Sequence, residues 1–270
     1  MSESPSATFD SPDADVILRA PLQPGSSDFK DFRVHKIILS IASPVFRDTF
    51  SIPQPPRHTS DGTGLDVVQI TESAEVVENF LQLIYPIDPP IFTNLWLLDD
   101  LLQLSDKYAA GGVTKKLKIH LASPFFLKGD PVGVFAVAIR NNLEGVARTA
   151  IPHTFSIDAV RQVSEDHTQR MTAKTYQLLL MEHVARRELL GRVLDEVQRK
   201  SYGGCGCFNR VKTNMLLEVS RRPLLDRDTI NKCLTADCPR LLCTCVYCIH
   251  NPGGDSKLFS EVLRMIKEMK

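Results

Sequence analysis

Between residues 14 and 50 the spacing of apolar residues changes once, and that change constrains the fold more than any other feature of the chain. Residues 16–20 (VILRA) and 31–34 (DFRV) read as two short strands joined by a Pro/Gly/Ser loop over 21–27. From His35 the period lengthens from two to between three and four, which places Ile37, Ile38, Ile41 and Ala42 on one face of a helix. Ser43 and Pro44 then restart the chain. A capping serine and a first-turn proline open a second helix that carries Val45, Phe46 and Phe50. The sequence therefore predicts an α+β fold here, a short sheet flanked by helices.

The same alternation continues downstream. Residues 65–70 read as a strand, and 74–85 as a helix with Val77, Phe80, Leu81 and Ile84 inward. Residues 97–108 read LLDDLLQLSDKY, and 113–121 form a last helix. Asp15-Val16, Phe32, His35-Lys36 with Leu39, Ser43-Pro44-Val45-Phe46 and Phe50, followed by LLDDLLQLSDKY, resemble the signature of the BTB/POZ domain over residues 14–124. The resemblance implies a non-enzymatic module that binds other proteins. It also implies an interaction or dimer pocket made by Asp15, His35, Lys36, Ile38, Phe46 and Phe50. In that pocket Asp15 and Lys36 form a charged pair at a homodimer interface, and stranding one such buried charge costs about 3 to 5 kcal/mol. The plain alternative is a half-exposed pair worth under about 1 kcal/mol. His35 is expected to bond backbone near the hairpin and Ser43 to cap its helix. A cullin-type ubiquitin ligase is a further partner implied by the resemblance. Many such adaptors carry a hydrophobic-x-Glu motif between the second helix and the next strand, and residues 51–64 contain no Glu.

With 270 residues, 43% of them hydrophobic, the chain has material for one large or two ordinary domains. Thirty-two basic residues balance thirty-two acidic ones, so no global field draws the chain to nucleic acid or to anionic lipid. Residues 186–270 hold 16 Lys/Arg against 10 Asp/Glu, net +6, which leaves −6 for residues 1–185. The first eighteen residues carry Glu3, Asp10, Asp13 and Asp15 with no apolar run after them, and no segment approaches the ~20 apolar residues of a membrane helix. These features predict a protein of the cytoplasm or nucleus, without a membrane partner. No Gly-x-Ser-x-Gly elbow accompanies the seven histidines, and GGVTK at 111–115 lacks the phosphate-loop spacing.

Four regions are predicted: a disordered lead-in over 1–13, the BTB/POZ part over 14–124, a helical region over 125–200, and a Cys-rich helical region over 201–270. In the third, helices are read at 131–142, 143–150, 157–163 and 173–200, the last with Tyr176, Leu179, Leu180, His183, Val184, Leu190, Val193, Leu194 and Val197 along a broad stripe. In the fourth they are read at 209–222 and 256–269. All seven cysteines lie after residue 204. Cys205 and Cys207 form one close pair and Cys245 and Cys248 another, a donor set that suits a structural, tetrahedral Zn²⁺. Burial as small apolar side chains is the alternative. Some fungal BTB proteins resemble this layout. A zinc-bearing nucleic-acid regulator is a second functional reading of 202–270, although its basic residues lack finger spacing, which makes nucleic acid the less favoured partner.

Overall fold

The computed structural model describes residues 9–52, 64–159, 161–199, 206–226, 228–230, 232–233, 260 and 264–265. The chain divides into two compact units. The first comprises residues 1–129 and 141–146, and the second comprises 130–140 and 147–270.

In the first unit, β1 (Val16–Pro21) is the centre of a three-stranded sheet of order β2-β1-β3. It pairs antiparallel with β2 (Phe29–Val34), Val16 opposite Val34 and Pro21 opposite Phe29. It pairs parallel with β3 (Asp66–Gln69), Val16 opposite Asp66. A central strand covered on both faces loses the alternation of a half-exposed one, and Val16, Ile17, Leu18 and Ala20 are all buried. The hairpin begins two residues earlier at β2 than its composition suggested, because the turn centres on Gly25, whose φ of 80° suits a residue without Cβ.

Helices α1 (Lys36–Ala42) and α2 (Pro44–Ser51) meet at Ser43. The Ser43 hydroxyl accepts from the Phe46 N–H at 3.1 Å and donates to the Tyr108 carbonyl, so one buried side chain caps a helix and ties it to a distant segment. Then follow α3 (Ala74–Ile84), α4 (Leu95–Lys107), α5 (Gly111–Leu121) and α6 (Pro124–Gly129). Helix α3 buries Val77, Phe80 and Leu81 as expected, with Leu83 completing the face in place of half-buried Ile84. The Phe46 ring stacks on Tyr108 at 4.4 Å and on Phe50 at 5.8 Å, which locks α2 to the end of α4.

The second unit holds α7 (Pro131–Arg140), α8 (Glu144–Thr154, shared with the first unit), α9 (Glu165–Arg170), α10 (Ala173–Val197) and α11 (Gly206–Arg221). The helix expected over 157–163 does not form; the described part of that stretch is turn. The helix lies just beyond it, as α9, opened by a capping box in which Ser164 bonds the His167 N–H and the His167 imidazole accepts from the Ser164 N–H at 3.1 Å. His167 reaches with its other nitrogen to Asp130 Oδ1 at 2.8 Å, and this bond together with the Gly133 N–H holds the Asp130 carboxyl below the usual carboxylate range against the effect of burial. Leu190, Val193, Leu194 and Val197 of α10 join Val211, Met215 and Val219 of α11 in one apolar cluster that also takes in Cys233 and Met265. The helix expected over 256–269 lies outside the described residues, apart from 260, 264 and 265. No helix among the described residues is long and apolar enough to cross a membrane.

Candidate protein-interaction surface

Helix α1 is short, and the tertiary structure decides which of its apolar residues meets the core. Leu39 is its buried residue, while Ile37 is 65% and Ile41 80% exposed and Ile38 and Ala42 are half-buried. The period predicted the helix but not which apolar face points inward. Leu39 is fully buried where α1 packs on α2 and α3; Ile37 and Ile41, four residues apart, make an outward stripe. Val45 at the start of α2 is also exposed. Large aliphatic groups are thus turned to solvent on one short helix hairpin.

The charged groups predicted to form a pair sit beside this stripe, joined differently. The Asp15 carboxylate accepts from the Lys36 backbone N–H at 2.7 Å, at the first residue of α1, where an N–H lacks an intrahelical partner and negative charge is favoured. The Lys36 ammonium pairs instead with Asp66 at 2.7 Å, because parallel pairing of β1 with β3 sets Asp66 next to the start of α1. In the single chain Asp15 is exposed, its carboxylate serving the Lys36 N–H while the Lys36 ammonium reaches Asp66. Lys36 also lies 5.9 Å from the Phe50 ring centre, so α2 contributes to the same surface.

His35 departs from its expected role as well. Its N–H donates to the Tyr85 hydroxyl at 2.8 Å, its Nδ1 lies 3.1 Å from the same hydroxyl, and its Nε2 lies 3.4 Å from Asp13. A side-chain oxygen, not a backbone group, is thus the hub that fixes the β2-to-α1 junction. Burial raises the Tyr85 phenol above its ordinary range, outweighing the His35 N–H that favours the phenolate. Hydrogen bonds from Ser11 and His35 lower the Asp13 carboxyl. The sequence marks Tyr85 only as the end of the helix read over 74–85; its bond to His35 was not anticipated.

Of the six residues expected to share a pocket, Asp15, His35, Lys36 and half-buried Ile38 and Phe50 lie around the start of α1 and α2. Phe46 does not belong to the surface. It is 2% exposed and packs between Phe50 and Tyr108, so it serves the core. A second exposed apolar set was not anticipated: Ile87 and Ile91 before α4, Ile119 on α5 and Phe125 on α6, near Lys115 and Lys118. The Phe92 ring against His120 at 5.1 Å draws the loop before α4 against α5, and Lys116 on the Leu83 carbonyl at 2.7 Å ties the end of α3 to the same helix.

The cysteines proposed as zinc ligands fall outside the description. Cys205, Cys245 and Cys248 are not among the described residues, and of Cys207 only the backbone is, within α11. Among the described residues no group of three or more His, Cys, Asp or Glu is arranged to hold a metal ion.

No curated protein matches the chain. Residues 22–124 match the family model described as the BTB/POZ domain.

Proposed function

We propose that this chain, which carries a BTB/POZ domain, is an assembly protein that pairs with a second copy of itself through the outward stripe of α1. The observation that carries the reading is the exposure of Ile37 and Ile41, with Val45 beside them in sequence, on a hairpin whose Leu39 and Phe46 are fully used in the core. Asp15, Lys36 and Asp66 surround the stripe and supply charged groups of both signs, the arrangement a self-complementary two-fold interface needs. Light scattering on the purified chain tests it. A dimer is expected, and Ile41→Glu is expected to give a folded monomer; a wild-type monomer at about 100 μM, well above the Kd range of stable interfaces, overturns the reading.

The second exposed set, around Ile91 and Ile119, favours an adaptor role in which one face assembles copies and another holds a cullin scaffold. Titration calorimetry with the N-terminal half of a cullin tests this. Binding should be lost in Ile119→Asp and retained in Ile41→Glu. Phe50→Asp replaces the buried Phe46 as the probe of α2, since a charge at Phe46 would unfold the domain. The reading of residues 202–270 as a zinc-bearing nucleic-acid binder rests on their sequence alone.

A further inference from the structure

Sheet order leaves β2 at an edge. Leu22 donates to the Asp28 carbonyl and Asp15 to the Val34 carbonyl, which fixes the phase of the hairpin: Lys30, Phe32 and Val34 turn their peptide groups to β1, and Phe29, Asp31 and Arg33 turn theirs outward. Among the described residues a single contact uses that outer edge, a parallel bridge from Asp10 to Arg33. Immediately before it, Phe9 is 6% exposed, edge-on to Tyr85 at 5.2 Å and to Phe32 at 6.2 Å. Everything else that holds this strap lies near solvent. Asp10 is 3.7 Å from Arg33 Nε, the same Nε donates to the Ser11 carbonyl at 3.3 Å, and Asp13 meets His35 at 3.4 Å. One buried ring, one acid on an arginine and one bridge on a strand edge are the elements of strand-addition recognition, here supplied in cis.

We propose that the Phe9-Asp10 strap occupies a peptide-binding site, and that the site accepts from a partner protein an extended segment with an aromatic residue followed by an acid, running parallel to β2. The strap itself shows what fits. The aromatic ring fills the recess between Phe32 and Tyr85, the acid pairs with Arg33, and the backbone of a longer segment continues past Asp31 and Phe29, whose outward peptide groups have no ladder partner among the described residues. A tethered occupant competes at an effective concentration in the millimolar range, so the strap masks the site from weak or wrong segments and a partner must displace it. The inference does not depend on the α1 dimer.

The test uses a fluorescein-labelled peptide with the sequence of residues 5–13 (PSATFDSPD) and the full-length chain, read by anisotropy. Phe9→Ala is expected to bind the peptide at least about tenfold more tightly than wild type does, since it empties the recess. Asp10→Lys, a change at an exposed position, should also improve binding. A peptide with Ala in place of its Phe should bind neither variant, and adding Arg33→Glu to Phe9→Ala should abolish binding. Ile41→Glu should bind as wild type does. Failure of both folded strap variants to bind at about 1 mM peptide, the scale of the tethered competitor, overturns the proposal, as does equal binding of the Ala peptide. A wild-type dimer that Phe9→Ala converts to a monomer also overturns it, because the recess would then be filled by the strap of a second copy.

Discussion

His183 shows how a single buried group ties this protein's stability to pH. It is 2% exposed on α10, with the edge of the Phe155 ring beside it. Thr154 gives its hydroxyl proton to the Ile151 carbonyl at 2.7 Å, so at 3.0 Å it accepts from His183 Nε2–H and the imidazole is neutral. Burial, and then the Arg187 guanidinium, depress its pKa to about 4. The folded value lies below that of the unfolded chain, near 6.5. The neutral imidazole's contribution is therefore complete above about pH 6.5 and is lost as pH falls toward 4, on the order of 2–3 kcal/mol in all. Urea unfolding at pH 7 and pH 4.5 should show a smaller acid loss in His183→Gln than in wild type; equal losses would count against this assignment. Ala109 is a second residue-scale case. It ends α4 with φ of 50°, the Ala109 and Ala110 N–H groups bonding back to Asp106 and Ser105, a cap usually made by glycine. Ala109→Gly should raise stability by about 0.5–1 kcal/mol, measurable by the same unfolding experiment.

At the scale of elements, the same helical period served core and surface alike. Leu39→Ala in α1 should cost about 2–5 kcal/mol, while Ile41→Ala should stay within about 0.5 kcal/mol in thermal melts of the monomer. The sequence could not separate these two aliphatics, since both fall within reach of an apolar stripe on a seven-residue helix. What separates them is the packing of α1 on α2 and α3, which buries Leu39 and leaves Ile41 in water. Ser43, by contrast, was legible: a serine before a proline that opens an apolar run has one common role, and Ser43→Ala should cost about 1–2 kcal/mol. Helix α9 was missed for the opposite reason. Its capping box uses His167 where Glu or Gln is usual, and the preceding apolar residues, Ile157, Ala159 and Val163, gave a helical period to a stretch that folds as turn.

For the whole molecule, charge is balanced in sum and uneven along the chain, net +6 after residue 185. Binding of phosphate through that excess would have to fall steeply between about 50 and 200 mM salt. We expect no more than weak retention on a phosphate resin even at the lower salt; retention that persists at low salt and collapses at the higher would revive the nucleic-acid reading. Helices α10 and α11 carry separate local periods and yet share one apolar cluster, a contact that no local pattern announces.

The sequence by itself determined the order and kind of the elements of the first unit: strand, strand, two helices meeting at Ser43, strand, and the helices to residue 121. It could do so because strand and helix periods, caps and prolines act within a few residues of one another. Only the tertiary structure decided which face of α1 meets water, that Asp15 serves a backbone N–H while Lys36 reaches Asp66, and that Tyr85 anchors His35. Those outcomes depend on groups 20 to 50 residues apart brought together by strand pairing, and no local pattern encodes which of several nearby partners a charged or polar side chain will find.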